Sequence, residues 1–282
     1  MDFFIVRYHK GDVVGRKIVI TSGKGGVGKT TITANLGKAL AAMGNRVVLI
    51  DIDFGLNNLE VVMGVENKVV YDLVDVFEGR CRLKQALVED NKRKNLYILP
   101  SGSGLSPEIT GQNIKYMIES LVNSFDYVLL DCPAGIDLGF HRAVSCADEA
   151  IVVVTPNIPS VRDADKVISI LKSYKLDNIS LVVNRARGDL IIDKKSLNPI
   201  DIKSMLKVSL VGVLPEEDEV FLSCGFSLAR SSDSYKAYKI LAENLHKNQN
   251  KVYDVMAKYS GFIGSIRRSV KRSIWGRIKF LD

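Results

Sequence analysis

The chain has 282 residues, 46% hydrophobic and 25% charged, an ordinary globular balance that excludes a disordered or collagen-like chain and allows a sizeable core. The formal charge is +7, but residues 260–282 hold six basic residues (Arg267, Arg268, Lys271, Arg272, Arg277 and Lys279) against Asp282 alone. The remainder is close to neutral, so specific nucleic-acid binding is not expected, and a basic patch at one end is.

The opening MDFFIVRYHKGDVVGR has too short an apolar part for a signal peptide, and no small-residue cleavage site follows it. No apolar run approaches the roughly 18–20 residues of a membrane-spanning helix. A cytoplasmic protein is expected. Residues 1–15 form an N-terminal extension to which no element is assigned. Strands are predicted at Lys17–Thr21, Arg46–Ile50, Leu96–Leu99, Tyr127–Leu130, Ala150–Thr155, Ile179–Val183 and Leu210–Leu214. Helical spacing marks Thr30–Met43, Asn113–Asn123 and Asp163–Tyr174, and residues 185–200 read as a polar surface loop. The strands are short, β-branched and continuously apolar, as when both faces are covered. The alternation predicts an α/β fold, a doubly wound, mostly parallel sheet flanked by helices. One domain is expected over residues 16–247, then a connector over 248–259 and a tail over 260–282. Ligands in such sheets bind at the carboxyl ends of strands.

Chemistry-bearing motifs fall at those ends. Gly23-Lys24-Gly25-Gly26-Val27-Gly28-Lys29-Thr30-Thr31 follows a strand and opens a helix, the context of a P-loop NTPase. Backbone N–H groups over Gly25–Thr31 are expected to converge on phosphate oxygens, helped by the helix dipole. Lys29 is expected at the β- and γ-phosphates of ATP, and the Thr30 hydroxyl at Mg²⁺. A chance glycine-rich turn is the bland alternative, and the complete GxxxxGKT between strand and helix argues against it. Lys24 is not required by an ordinary P-loop; its bland reading is a solvated surface lysine. Asp51 and Asp53 lie two apart and share a face in extended backbone; one can serve the Mg²⁺ shell and the other orient the attacking water. Asp131 ends an apolar strand and can reach the Mg²⁺ water shell, and Pro133, Ala134 and Gly135 suit a switch that senses the γ-phosphate. Cys132 invites a redox reading, but nothing beside it in sequence lowers its pKa. The four cysteines and three histidines are scattered, so no metal site or disulfide framework is read from them.

KGGVGKTT resembles the deviant Walker A motif of the MinD/ParA class of ATPases. VVYDLVDVFEG, QALVEDNKRKNLYILP, DCPAGID, ADEAIVVVTPNIPSVRDADKVI and LVGVLPEE extend the likeness, within that class, to its MinD members over most of residues 16–247. The resemblance implies that Lys24 crosses the interface of an ATP-bound homodimer to the partner's phosphates. It implies that Asp53 positions water, that Asp51 supports the metal and the first switch with Asn58, and that Asp163 starts a surface helix. Asn57 departs from the arginine of some members. Asn184 at a strand end, with Pro215 and Glu216, is implied to contact adenine; a capping asparagine is the alternative. The resemblance further implies a spatial regulator of cell division that recruits the septum inhibitor MinC, answers to MinE or another topological regulator, and hydrolyses ATP slowly alone.

In the tail, Ile263, Ile266, Val270, Ile274, Ile278 and Leu281 recur every three or four residues and form one stripe. Arg268, Arg272 and Lys279 fall opposite, while Phe262 and Trp275 suit the headgroup level. Gly261, Gly264 and Gly276 weaken the helix in water. A peripheral anchor on the anionic inner face of the cell membrane is expected, strengthened when two tails act together. The alternatives are packing on the chain's own core and a nucleic-acid arm. Three related functions compete. A flagellar-number regulator of the FlhG type is opposed by the MinD-like stretches. A ParA-type DNA segregation ATPase is opposed by the near-neutral core, and an iron–sulfur carrier by the lack of paired cysteines.

Overall fold

A computed structural model describes residues 15–55, 58–102, 104, 109–222 and 228–278. Eight strands form one sheet in the order β3-β4-β2-β5-β1-β6-β7-β8. They are β1 (Arg16–Thr21), β2 (Val47–Asp51), β3 (Val88–Glu89), β4 (Leu96–Leu99), β5 (Tyr127–Asp131), β6 (Glu149–Val154), β7 (Asn178–Ala186) and β8 (Ser209–Pro215). All neighbours pair in parallel except the two-residue β3, which runs antiparallel at the edge. The short edge limits pairing with other chains.

Strand residues alternate between two cores. Ile18 and Ile20 of β1, Val47 and Leu49 of β2 and Ile151 and Val153 of β6 face one side, packed with α1 (Lys29–Ala42). Val19, Val48, Ile50, Ala150 and Val152 face the other. The continuously apolar strands follow from this two-sided burial. Four long or mid-length helices cover the second face or cap its ends: α5 (Gly111–Leu121), α6 (Leu138–Ser145), α7 (Ile158–Ser173) and α9 (Pro199–Leu206). Short helices fill the connections: α2 (Leu59–Met63), α3 (Leu73–Phe77), α4 (Leu83–Ala86), α8 (Gly188–Ile192) and α10 (Asp218–Leu222). Helix α11 (Asp233–Lys247) packs beside α1, with Ala237, Tyr238 and Leu241 in the first core.

The strand-start end of the sheet is cross-braced. Arg16 binds both oxygens of Glu149 at 2.6 and 2.7 Å, donates to the Leu245 carbonyl of α11, and lies over the Tyr127 ring. The Tyr127 hydroxyl is 3.0 Å from His246 Nδ1. One arginine thus ties β1, β6 and the end of α11.

Residues 185–200 and the start of α7, at Ile158 rather than Asp163, depart from the sequence expectations. Residues 185–200 are not a bare polar loop. They hold the end of β7, all of α8 and the start of α9, because Asp189 and Ile191 turn inward while the charged residues around them stay out. Residues 248–259 run against the domain, with Val255 and Tyr259 buried. Helix α12 (Gly261–Ile278) follows. No described helix is long and apolar enough to cross a membrane.

Candidate functional site

The carboxyl ends of β1, β2 and β5 meet at one edge, and the loop between β1 and α1 lies over them. Gly26 and Gly28 adopt φ of 73° and 97°, conformations that glycine reaches at low cost. Gly23 lies so close to α7 that an added Cβ would be 2.5 Å from the Asp163 carbonyl oxygen. Helix α1 begins after Gly28 with no side-chain cap, so its first N–H groups are left for a ligand. Lys24, Gly25 and Gly26 are exposed, Val27 and Lys29 are buried, and Thr30 and Thr31 are half-buried. Among the described residues Lys24 has no acidic partner.

Beneath the loop, Lys29 Nζ lies 3.3 Å from Ser22 Oγ, and that hydroxyl donates to the Lys24 carbonyl at 2.7 Å. The Thr33 hydroxyl stands 3.0 Å from the Lys29 carbonyl and 3.1 Å from Asp131 Oδ1. Burial raises the Asp131 carboxyl above the ordinary range, against the opposing pull of the Thr30 hydroxyl, the Lys29 charge and the Thr33 hydroxyl. Asp51 stands beside Asp131 in register on the neighbouring strand. Burial raises its carboxyl too, and the Asp131 charge adds to the effect. Both Asp51 oxygens accept backbone donors, from Asp53 N at 2.9 Å and Leu59 N at 3.3 Å. Asp51 thereby pins the turn after β2 and the start of α2, whose first cap is the exposed Asn58. Asp53 is half-buried; Ser101 Oγ holds its carbonyl at 2.9 Å and Gly55 N donates to its Oδ1 at 3.3 Å.

The arrangement fits a nucleotide phosphate chain and a divalent cation. A loop with open glycines, an uncapped helix end and a buried lysine suits phosphate oxygens. Two buried carboxylates that resist ionisation suit a cation that relieves them. Ser22, Thr33 and Ser101 were not singled out in the sequence; Thr33 could have been, standing one helical turn after Lys29 on the same face.

Asn184 ends a bulged part of β7, where Arg185 takes φ of 54° and the register with β8 shifts. Its Nδ2 donates to the Val27 carbonyl at 2.7 Å. The resemblance implies a base contact for this residue; in this structure its amide nitrogen holds the phosphate loop. Pro215 is buried, Glu216 is exposed, and Glu216 N donates to the Ala186 carbonyl at 3.3 Å. The loop after β5 runs from Cys132 through Gly135, with φ of 89°, to Asp137, which caps α6 by accepting Gly139 N at 3.1 Å. Cys132 is buried, and burial pushes its thiol up to about 12, which opposes the redox reading.

In the tail, Ile263, Ile266 and Val270 are exposed, as is Phe262. The side chains of Ile274, Trp275 and Ile278 lie outside the described residues, as do Asn57 and all of Leu281.

A protein-family profile described as "AAA domain" matches residues 15–183. The septum site-determining protein MinD of Bacillus subtilis is 45% identical over 267 residues, 89% of this chain and 99% of its own. The structure of the Aquifex aeolicus MinC:MinD cell division protein complex is similar at 41% identity and a TM-score of 0.78, over 83% of this chain and 97% of that one. Septum site-determining MinD of Pyrococcus horikoshii, solved with Mg-ADP, is 34% identical with a TM-score of 0.74, over 83% and 97%.

Proposed function

Because the chain belongs to the MinD family of septum site-determining P-loop ATPases, we propose that it is a membrane-cycling switch that dimerises on ATP and recruits MinC at the division site. The observation that carries this reading is the uncapped start of α1 above the buried Lys29 and Asp131. Backbone N–H groups of Gly25 to Thr31 hold the phosphates, and Lys29 neutralises the β- and γ-oxygens. Thr30, Asp131 and Asp51 form the Mg²⁺ side of the site, Asp51 acting also through the turn it pins. Bound Mg²⁺ supplies charge neutralisation for phosphoryl transfer. Asp53, on the open side of β2, orients the attacking water. Asn184, Pro215 and Glu216 form the base side.

Exposed Lys24 reaches the partner's phosphates in the ATP homodimer. Support comes from the apolar Ile136, Leu138 and Ile158, all exposed on the switch and helix starts around the site, an arrangement suited to an interface. Hydrolysis by the chain alone is slow until MinE or another topological regulator acts. The tail binds the anionic inner leaflet, placing the protein peripherally on the cell membrane from the cytoplasmic side.

Co-sedimentation with anionic liposomes tests the reading. Binding should be stronger in ATP than in ADP, and lost on deleting residues 260–282 or in Lys29→Ala. ATP-dependent binding retained in Lys29→Ala would refute the site. Nucleotide-dependent DNA binding instead would favour a segregation ATPase.

A further inference from the structure

Helix α12 lies beside the domain with a definite face inward. Gly264 packs on the backbone of Tyr259, where a Cβ would find no room. One turn on, Arg268 donates to the Tyr259 carbonyl, and its Nε lies 3.6 Å from Asp193 Oδ1 at the end of α8. Gly264 and Arg268, four apart, share one face. Ile263, Ile266 and Val270 fall on the opposite face by helical spacing and are exposed.

The corner that Arg268 touches carries two further cations. Lys194 and Lys195 follow Asp193 directly and are exposed. Their turn is fixed from both sides. Lys194 N donates to the Ile191 carbonyl at 3.0 Å and Lys195 N to the Leu190 carbonyl at 2.8 Å. Beyond them, Ser196 Oγ and Leu197 N both donate to the Pro156 carbonyl after β6. The acids of α8 and its cap are already engaged, Asp189 by Arg187 at 2.6 Å and Asp193 by Arg268. Among the described residues neither Lys194 nor Lys195 pairs with an acid.

Helix geometry sets how far this corner stands from a bilayer. With the apolar stripe at the boundary between headgroups and acyl chains, the opposite face of α12 lies one helix diameter out, about 10–12 Å. The headgroup layer fills about 5–7 Å of that distance. A domain surface resting on that face is therefore within the Debye length of about 8–10 Å and within reach of a lysine side chain. We propose that Lys194 and Lys195 form a second, folded contact with the anionic leaflet. The anchor is then composite: the tail inserts its stripe and the α8 corner meets the headgroups. This rests on the reading of the tail as the membrane anchor. Because the turn is fixed, its charges are placed without ordering a loop.

The test is co-sedimentation of the full chain, with Mg-ATP, on vesicles of phosphatidylglycerol and phosphatidylcholine. Lys194→Gln with Lys195→Gln should weaken binding about five- to twentyfold, and the loss should shrink as salt is raised. Lys172→Gln with Lys175→Gln removes the same charge from exposed residues at the strand-start end of the sheet. That pair should change binding by less than about twofold, because it lies far beyond the Debye length. Lys194 sits at φ of 56°, where glycine is relaxed. Lys194→Gly should therefore hold or raise the melting temperature while vesicle affinity falls, which separates the contact from the fold. Vesicle binding by the Lys194 and Lys195 double variant equal to that of the natural chain would overturn the contact and leave the tail reading intact. Equal losses in the two lysine pairs would overturn it as well, reducing the effect to net charge. Loss of DNA binding with vesicle binding unchanged would assign the corner to a soluble polyanion instead. No binding of the natural chain to these vesicles would remove the tail reading and this contact with it.

Discussion

Gly28→Ala and Asn184→Ala should be non-additive, and the sign of the coupling follows from geometry. Gly28 sits at φ of 97°, where an alanine costs about 1–2 kcal/mol of backbone strain. Its Cβ would also stand 2.5 Å from Asn184 Nδ2, the nitrogen that donates to the Val27 carbonyl at 2.7 Å. Asn184 must then withdraw, losing a bond worth about 0.5–1.5 kcal/mol net. Gly28→Ala should therefore cost about 2–3 kcal/mol. Asn184→Ala alone leaves the Val27 carbonyl short of a donor, at about 1–3 kcal/mol. In the double variant the lost bond is counted once, so its cost should fall short of the sum by about 1 kcal/mol. Urea midpoints of the nucleotide-free chain and its three variants, with slopes checked for constancy, give the four values. Additivity within about 0.5 kcal/mol would mean that the loop glycine and Asn184 do not meet.

The paired carboxylates make stability fall with pH. Asp51 and Asp131 are raised on folding, Asp131 to about 6, so the native state holds more protons than the unfolded chain above about pH 4. Their contribution is fully present below that pH and is lost as pH rises through about 6. Melting temperatures of the nucleotide-free chain and Asp131→Asn from pH 5 to 8 should diverge in the variant's favour as pH rises; a constant difference would refute this. In the tail, Ile263→Glu with Ile266→Glu replaces two exposed residues. It should leave melting temperature and ATP binding unchanged and remove liposome binding. Persistent co-sedimentation would show that the stripe is not the anchor.

Backbone periodicity carried most of the fold into view. The seven predicted strands each fall on an observed one, because two-sided burial forces continuous apolar runs. Helix α7 begins at Ile158, five residues before the predicted start, since Asn157 caps it by accepting Ser160 N at 3.0 Å and Pro159 sits in its first turn. Strand β3 was missed because two residues carry no period. The motifs located Lys29, Asp51 and Asp131 because each ends or opens an element. Contacts made across the chain were not legible. The 2.7 Å bond from Asn184 to Val27 joins residues 157 positions apart, and no local pattern announces it. The pair of Arg268 Nε with Asp193, at 3.6 Å, was hidden likewise, because it depends on the connector's path past α8.

The brace around Arg16 also decides where a reporter can be attached. Strand β1 enters at Arg16 and delivers Thr21 to the phosphate loop, so Arg16 stands a strand's length, about 16–17 Å, from that loop. It joins a part of the sheet locked to β6 and α11. A fluorescent protein fused ahead of this pole would leave the phosphate-loop pole clear for the proposed second subunit. A fusion after α12 would instead load the helix whose orientation is to be observed.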